Sequence, residues 1–468
     1  MPDLPLLSAQ SIAAAVRRRE LSPLDAVDAA LAAIARGDGQ INSFCALRAD
    51  EARAEARALA DRIARGEEPG PLAGVPFGVK DEQDVAGMAT TYGSVPYRDH
   101  VVRHDSTIVA RLRRAGAIPL GKTNMPEFGS TAFTKNRLFG VTRNPWNLER
   151  TPGGSSGGSS AAVAAGLVPL ATGGDGGGSI RIPASYTGLF GIKATFGRVP
   201  RAPFTFRDWV DTICRGPLTR SVADAALFMD AVVGYDPLDP DSLPHPGHSY
   251  LDRLDDPPRG VRVAYSPTLG YARVDPDVRR EVEAGVAVLG KALGVQVDVI
   301  SDRVTDAGLA WAMLNCFEQH AKLAPVLEQH RDEWGRGYLR GVDQGGRLGA
   351  KDIGQHQRER LRVLDDVARI FTRYDLLLTP TVPTTAFPAE GPMPAVIDGA
   401  ALESPLHAVA FSYPFNLTGH PACTVPVGLG DDGLPVGLQI VADRHQDHLL
   451  LRAARTLELA RPFPARAG

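Results

Sequence analysis

The sequence has little that would place the protein outside the cell, in a membrane or on nucleic acid. Its four cysteines lie far apart, with no CxxC pair and no histidine at ligand spacing, so neither disulfides nor a zinc site are expected. It has no run of like charges, and its net charge of −3 does not favour binding to nucleic acid or to an anionic membrane. The first residues lack a basic segment before an apolar stretch. We therefore expect a cytoplasmic protein acting on a small molecule, without metal or cofactor; a homodimer stays open.

The chain also lacks a long apolar run. The uncharged stretch from Thr151 to Gly174 is rich in glycine and serine and contains Pro169, which makes it a poor bilayer helix. With 468 residues, 44% hydrophobic and 22% charged, the composition is that of a folded globular protein.

Short apolar runs bounded by proline and glycine alternate with helical segments after residue 66, which predicts an α/β fold with a buried sheet in one large domain. Strands are expected within residues 75–81, 117–121, 261–267, 295–300, 376–383, 423–430 and 434–442. Helices are expected near residues 8, 22–35, 49–65, 106–115, 221–233, 276–293 and 353–373. We divide the chain into a helical wrap (1–66), a catalytic core (67–200) and the remaining sheet and pocket elements (201–468).

Glycine is the abundant residue, and it is concentrated. Residues 153–191 hold 12 of the 49 glycines, where an even spread would place about four. A flexible linker would be polar throughout, but here apolar residues such as Val163 and Leu167 stand between the glycine clusters. The tract therefore predicts two tight turns attached to buried elements.

Two familiar motifs fit their surroundings poorly. GAIPLGKT at 116–123 matches a phosphate-binding loop, but it follows a helix and is itself the best strand candidate, so Lys122 is interpreted as a strand-end residue. GGSSG at 153–157 matches a nucleophile elbow around Ser155 or Ser156, but no strand precedes it. A catalytic triad around either serine would need a histidine such as His420 or His448, and neither histidine lies in a sequence pattern more specific than a loop or a helix face.

The sequence resembles the amidase signature family over most of its length. The segments that carry the resemblance keep the family's usual order: GVPFGVKD, GKTNMPEFG, TRNPWN, the tract 152–185, GPLTRSVADAAL, FNLTGHPACTVPVG and GLPVGLQIV. The resemblance implies a central mixed sheet flanked by helices. It also implies an amidohydrolase that cleaves a small linear carboxamide, with ester or carbamate cleavage left open.

The family's catalytic set is a serine, a second serine on a cis peptide bond and a lysine. By matching positions, the nucleophile is Ser179, the relay serine is Ser155 and the base is Lys80. A lysine can act as a base only when neutral, and burial at the end of an apolar strand would lower its pKa. Lysine is otherwise scarce, with 7 among the 51 basic residues.

Three consecutive glycines precede the proposed nucleophile. Gly176, Gly177 and Gly178, with the Ser179 amide, could direct N–H groups to one point, as an oxyanion hole requires. Asp175 and Arg181 are expected to pair across this turn. The family usually has larger residues at positions 174 and 176, where this chain has glycine, and the sequence does not explain them.

The branch of the family is indicated by apolar residues. Glutaminase A subunits of tRNA-dependent amidotransferases carry Gln after Ser-Ile-Arg and a Ser-Ser-Leu-Asp-Gln stretch before Gly-Pro-Leu; this chain has Ile182 and FRDWVDTICRG (206–216). A free-standing amidase is therefore predicted, with a glutaminase subunit or a noncatalytic binding protein as alternatives. The candidate pocket walls are Met125, Ile182, Phe204, Phe206, Trp209 and Cys316.

Overall fold

Eleven strands form one mixed sheet in the part of the chain that the structure describes. The computed structural model describes residues 6–204, 206 and 210–464. In chain order the strands are β1 (Phe44–Leu47), β2 (Pro76–Lys80), β3 (Ile118–Thr123), β4 (Leu170–Asp175), β5 (Phe190–Lys193), β6 (Cys214–Thr219), β7 (Val263–Tyr265), β8 (Val297–Val299), β9 (Leu376–Pro380), β10 (Ala422–Leu429) and β11 (Pro435–Ala442). Their order across the sheet is β1-β3-β2-β4-β6-β5-β10-β11-β9-β7-β8. The predicted α/β fold, with a mixed sheet flanked by helices in one domain, is confirmed.

Helices cover the sheet and extend from it. They are α1 (Ala9–Arg17), α2 (Pro23–Ile41), α3 (Ala49–Ala64), α4 (Thr107–Arg114), α5 (Gly157–Ala164), α6 (Arg181–Thr187), α7 (Val222–Val232), α8 (Pro276–Leu293), α9 (Gly308–Leu327), α10 (Arg336–Gly345), α11 (Ala350–Phe371), α12 (Tyr413–Leu417) and α13 (Asp447–Ala460). Every residue of β9 and β11 is buried, so helices cover both faces of the sheet there. Over the described ranges, no helix has the length and apolar character needed to cross a membrane.

Local signals in the sequence account for several helix ends. Ser22 caps α2 by accepting a hydrogen bond from Leu24 N, and Pro23 occupies the first helical position, as predicted. Ser221 caps α7 by accepting from Asp224 N. The Asp224 carboxylate accepts hydrogen bonds from the first two amides of α1 and so joins α1 to α7.

Each predicted strand segment contains a strand, but several elements were not predicted. Within the described residues, β1 interrupts the expected helical wrap, and β4, β5 and β6 supply the middle of the sheet. The helices α5, α6, α9, α10, α12 and α13 were not predicted either.

The parallel strands β2 and β4 position the two glycine-rich turns. Lys80 is the last residue of β2, and Asp175 is the last residue of β4. Because β2 and β4 are parallel neighbours, their carboxyl ends lie at the same edge of the sheet. Helix α5 packs against both strands and brings the turn at 151–156 to that edge.

Candidate active site

Lys80 is a fully buried amine with three close oxygen neighbours. Its side chain is 1% exposed, and its Nζ lies 2.8 Å from Ser155 Oγ, 3.1 Å from Gly174 O and 3.2 Å from Glu82 Oε1. Burial lowers the pKa of Lys80, and Arg215 lowers it further, whereas Glu82 acts in the opposite direction. Burial of this strand-end lysine thus acts on its pKa in the expected direction.

Ser155 lies in the first glycine turn, and its peptide bond to Gly154 is cis. The backbone passes so close to its neighbours that a Cβ on Gly154 would lie 2.8 Å from Phe133 N. Gly153 has a φ of +86°, a conformation that glycine adopts readily. The Gly153 carbonyl also accepts a hydrogen bond of 2.8 Å from Thr134 Oγ1. These contacts hold the Ser155 hydroxyl against Lys80.

Ser179 follows the second glycine turn and lies two residues before the start of α6. It is partly exposed, whereas Ser155 is buried. The Ser179 carbonyl accepts a hydrogen bond of 3.2 Å from Ser156 N, which joins the two turns. The structure thus brings the turns of Ser155 and Ser179 together and leaves Ser179 the more accessible of the two.

The carbonyl groups of the second turn are held by side chains outside it. Asn416 Nδ2 donates to Asp175 O at 2.8 Å, and Trp311 Nε1 donates to Gly176 O at 2.8 Å. In a trans peptide the N–H points away from the C=O, so these bonds turn the amides of Gly176 and Gly177 to the opposite side. Within the described part of the chain, the amides of Gly176, Gly177 and Ser179 donate to no protein group.

The prediction that Gly178 belongs to the donor set is wrong. Its N–H donates to Asp175 Oδ1 at 2.8 Å, so it is already engaged. Its φ of +126° is a conformation that side chains disfavour, and a Cβ there would collide with Ser412. Gly178 therefore shapes the turn.

Asp175 and Arg181 form a fully buried ion pair, as predicted. Arg181 Nη2 lies 2.9 Å from Asp175 Oδ1, and both side chains are inaccessible to solvent. Arg181 also donates to Gln439 Oε1 and Asn416 Oδ1, so its guanidinium is fully engaged. Burial alone would raise the pKa of Asp175, but Arg181 outweighs burial and holds that pKa well below its usual range.

Glu82 and Arg215 form a second ion pair beside Lys80, which sequence reasoning missed. Arg215 Nη1 contacts Glu82 Oε1, and both side chains are largely buried. Arg215 lies directly opposite Gly174 in the β4–β6 pairing. No signal in the sequence joins positions 82 and 215, because they meet only through the sheet. Trp311 and Ser412 were also missed, for the same reason.

Two of the candidate pocket residues lie close to the glycine turns or to Ser155. Ile182 lies against Gly178, since a Cβ on that glycine would lie 2.7 Å from Ile182 Cδ1. Met125 is fully buried beside Gly129. A Cβ added to Gly129 would lie 3.1 Å from Ser155 Oγ, so this glycine is close to both Met125 and Ser155. The other candidates have these surroundings: Cys316 packs against α10, the Phe204 ring lies 5.3 Å from the Arg201 guanidinium, Phe206 is partly buried, and Trp209 lies outside the described residues.

The alternative motifs have other roles in the structure. Lys122 is buried in β3 with its Nζ 3.1 Å from Asp81 Oδ1. His420 stacks on Phe371 at 5.0 Å between ring centroids, and His448 Nε2 contacts Asp252 O. Over the described residues, no three His, Cys, Asp or Glu side chains could together hold a metal ion.

Comparisons with known proteins show the family to which the chain belongs. The Amidase family model matches residues 25–451. An acylamidase from Rhodococcus erythropolis is 37% identical over 98% of this chain and 97% of its own. The A subunit of a glutamyl-tRNA(Gln) amidotransferase from Geobacillus stearothermophilus is 36% identical, covering 96% of each chain. The crystal structure of a bacterial aryl acylamidase of the amidase signature family superposes with a TM-score of 0.93 at 32% identity, covering 98% of this chain and 96% of that one.

The chain belongs to the amidase signature family. The match to this family and to its acylamidase members supports a function as a hydrolase that acts on amides.

Proposed function

We propose that this protein hydrolyses the C–N bond of a small linear carboxamide through an acyl-enzyme on Ser179. The observation that carries the proposal is the buried Lys80 amine, 2.8 Å from the Ser155 hydroxyl. A serine hydroxyl is a weak nucleophile and needs a base within hydrogen-bond reach. Lys80, with its lowered pKa, meets the requirement for such a base at the end of a Ser155 relay.

In the first step Ser179 Oγ bonds to the carbonyl carbon while its proton passes through Ser155 to Lys80. The amides of Gly176, Gly177 and Ser179 stabilise the oxyanion that forms. The same relay returns the proton to the nitrogen, the C–N bond breaks and the amine leaves. Water then attacks the ester, and the carboxylic acid is released as Ser179 regains its proton.

The experiment is steady-state hydrolysis of an acyl anilide by Lys80→Met and Ser179→Ala variants. We expect Lys80→Met to lower kcat by at least about 100-fold, because general-base catalysis contributes about that much or more. Lys351→Met, on the exposed face of α11, is the matched control and should match the wild type. Activity of Lys80→Met within about threefold of wild type, roughly 0.7 kcal/mol, would remove Lys80 from the mechanism.

A glutaminase A subunit is the second candidate, and the 36% identity to an amidotransferase A subunit favours it. Ile182, an apolar residue next to Gly178, argues against glutamine as the substrate. Glutaminase activity in the purified protein, with a co-purifying partner subunit, would favour this second function over the first.

A further inference from the structure

The hydrogen bonds around Lys80 decide where its lone pair points. A neutral amine has two N–H bonds and one lone pair, whereas an ammonium has three donors and no acceptor. Gly174 O can only accept, and the Glu82 carboxylate, when ionised, can only accept. A neutral Lys80 can donate its two N–H bonds to these two oxygens, which lie 3.1 and 3.2 Å from its Nζ. The remaining direction, occupied by the lone pair, is toward Ser155 Oγ at 2.8 Å.

Arg215 holds the Glu82 carboxylate in this position. Its guanidinium contacts Glu82 Oε1, the same oxygen that lies 3.2 Å from Lys80 Nζ. Burial alone would raise the pKa of Glu82, but Arg215 and then Lys80 outweigh burial and keep that pKa below its ordinary value. Glu82 is therefore ionised and can act only as an acceptor.

Gly174 provides the space for this pair. A Cβ at position 174 would collide with both the Glu82 carboxylate and the Arg215 guanidinium. A side chain in place of the glycine that the sequence could not explain would therefore displace the ion pair from its present position. Gly176 differs, because a Cβ there would meet only Ile213, at 3.3 Å, and Thr212, at 3.8 Å.

We infer that Glu82, held by Arg215, is a positioning residue that aims the Lys80 lone pair at Ser155 and stabilises the ammonium formed when Lys80 takes up the proton. The inference rests on the proposed function, because it assigns a role within that relay. Glu82 does not touch the reacting atoms. Arg215 balances the carboxylate charge, which favours the neutral form of Lys80.

The charges that face Lys80 come from several elements. Glu82 comes two residues after Lys80, just past the end of β2. Arg215 faces Lys80 from β6, and Asp175 faces it from β4. Lys322 of α9 acts on Glu82 rather than on Lys80 directly. The adjacent Asp81 pairs with Lys122 at 3.1 Å. Glu82 and Arg215 are thus the two groups whose removal changes the charge beside Lys80 in opposite directions.

The test is the pH dependence of kcat/KM for Glu82→Gln, Arg215→Met and the double variant. The acid limb reports deprotonation of the free enzyme's base. Glu82→Gln leaves Arg215 beside Lys80, so the limb should move to lower pH by about one unit. Arg215→Met leaves an unbalanced carboxylate, so the limb should move up by about one unit. The double variant should return close to the wild-type limb.

Two controls make the result decisive. Glu55→Gln removes the partner of Arg48, which lies 2.6 Å away outside the site, and should leave the limb in place. Arg215→Lys keeps the positive charge and should restore the wild-type limb. If Arg215→Met does not fold, Glu82→Gln and Arg215→Lys still give the test.

The outcomes separate this inference from the proposed function. An unmoved limb with reduced kcat, or limbs that move the same way in both single variants, overturns the role of Glu82. Ser179→Ala is assayed alongside. If Ser179→Ala remains active, the proposed function fails and the inference fails with it; if Ser179→Ala is inactive and the limbs do not move, only the inference fails.

Discussion

Trp311 supports the glycine turn from a distant helix, and removing its N–H gives a quantitative prediction. Trp311→Phe deletes the 2.8 Å hydrogen bond to Gly176 O while keeping a ring that can stack on Tyr413, now 5.8 Å away between centroids. One lost hydrogen bond of this kind costs about 1 kcal/mol, or about fivefold in rate. Complete loss of the Gly177 amide as an oxyanion donor would cost about 3 kcal/mol, or more than 100-fold. We therefore expect kcat to fall between about fivefold and 100-fold.

The assay is kcat on an acyl anilide, with Trp334→Phe as the matched control. Trp334 Nε1 donates to Leu327 O at 3.1 Å, in a buried cluster that does not touch the turn. Trp334→Phe should lower stability by a similar amount and leave kcat within about twofold. If both variants have the same kcat, the bond from Trp311 does not hold the turn, and the reasoning is refuted.

Two further predictions concern the Asp175–Arg181 pair. Asp175→Asn leaves Arg181 buried without its partner, so the free energy of unfolding in urea should fall by about 3 kcal/mol or more; a loss under 1 kcal/mol would contradict this assignment. Because the folded pKa of Asp175 is depressed, its stabilisation is fully present above about pH 4 and is lost as the pH falls further. Urea unfolding between pH 5 and pH 2 should therefore show a steeper loss in wild type than in Asp175→Asn, and equal slopes would disprove the linkage.

Two of the strands that sequence reasoning missed, β4 and β6, lie beside the site. β4 and β6 contain glycine where a β-branched residue would signal a strand. The structure gives the reason: a Cβ on Gly173 would lie 2.8 Å from Ile180 Cγ1, and a Cβ on Gly216 would collide with Ile192 O. Glycine in these strands marks close approach of neighbouring chain segments, which cannot be distinguished from turn glycine without the fold.

The candidate catalytic residues could be named from motifs, but their surroundings could not. Lys80 and Ser155 each lie in a local motif, and the structure brings them within 2.8 Å. Glu82 and Arg215 are 133 positions apart and have no motif in common. Such partners are determined by strand order, which local sequence does not encode. For Gly178 the motif predicted too much. A run of glycines does not reveal that the Gly178 amide already donates to the Asp175 carboxylate.

The central claim is that Ser179 is the nucleophile and Ser155 the relay. Treatment with a serine-directed fluorophosphonate, followed by mass spectrometry of the peptides, tests it most directly. The account predicts a single label on Ser179, absent from Ser179→Ala and formed slowly in Lys80→Met. A label on Ser155 with Ser179 unmodified would contradict the account and favour the nucleophile-elbow interpretation of GGSSG.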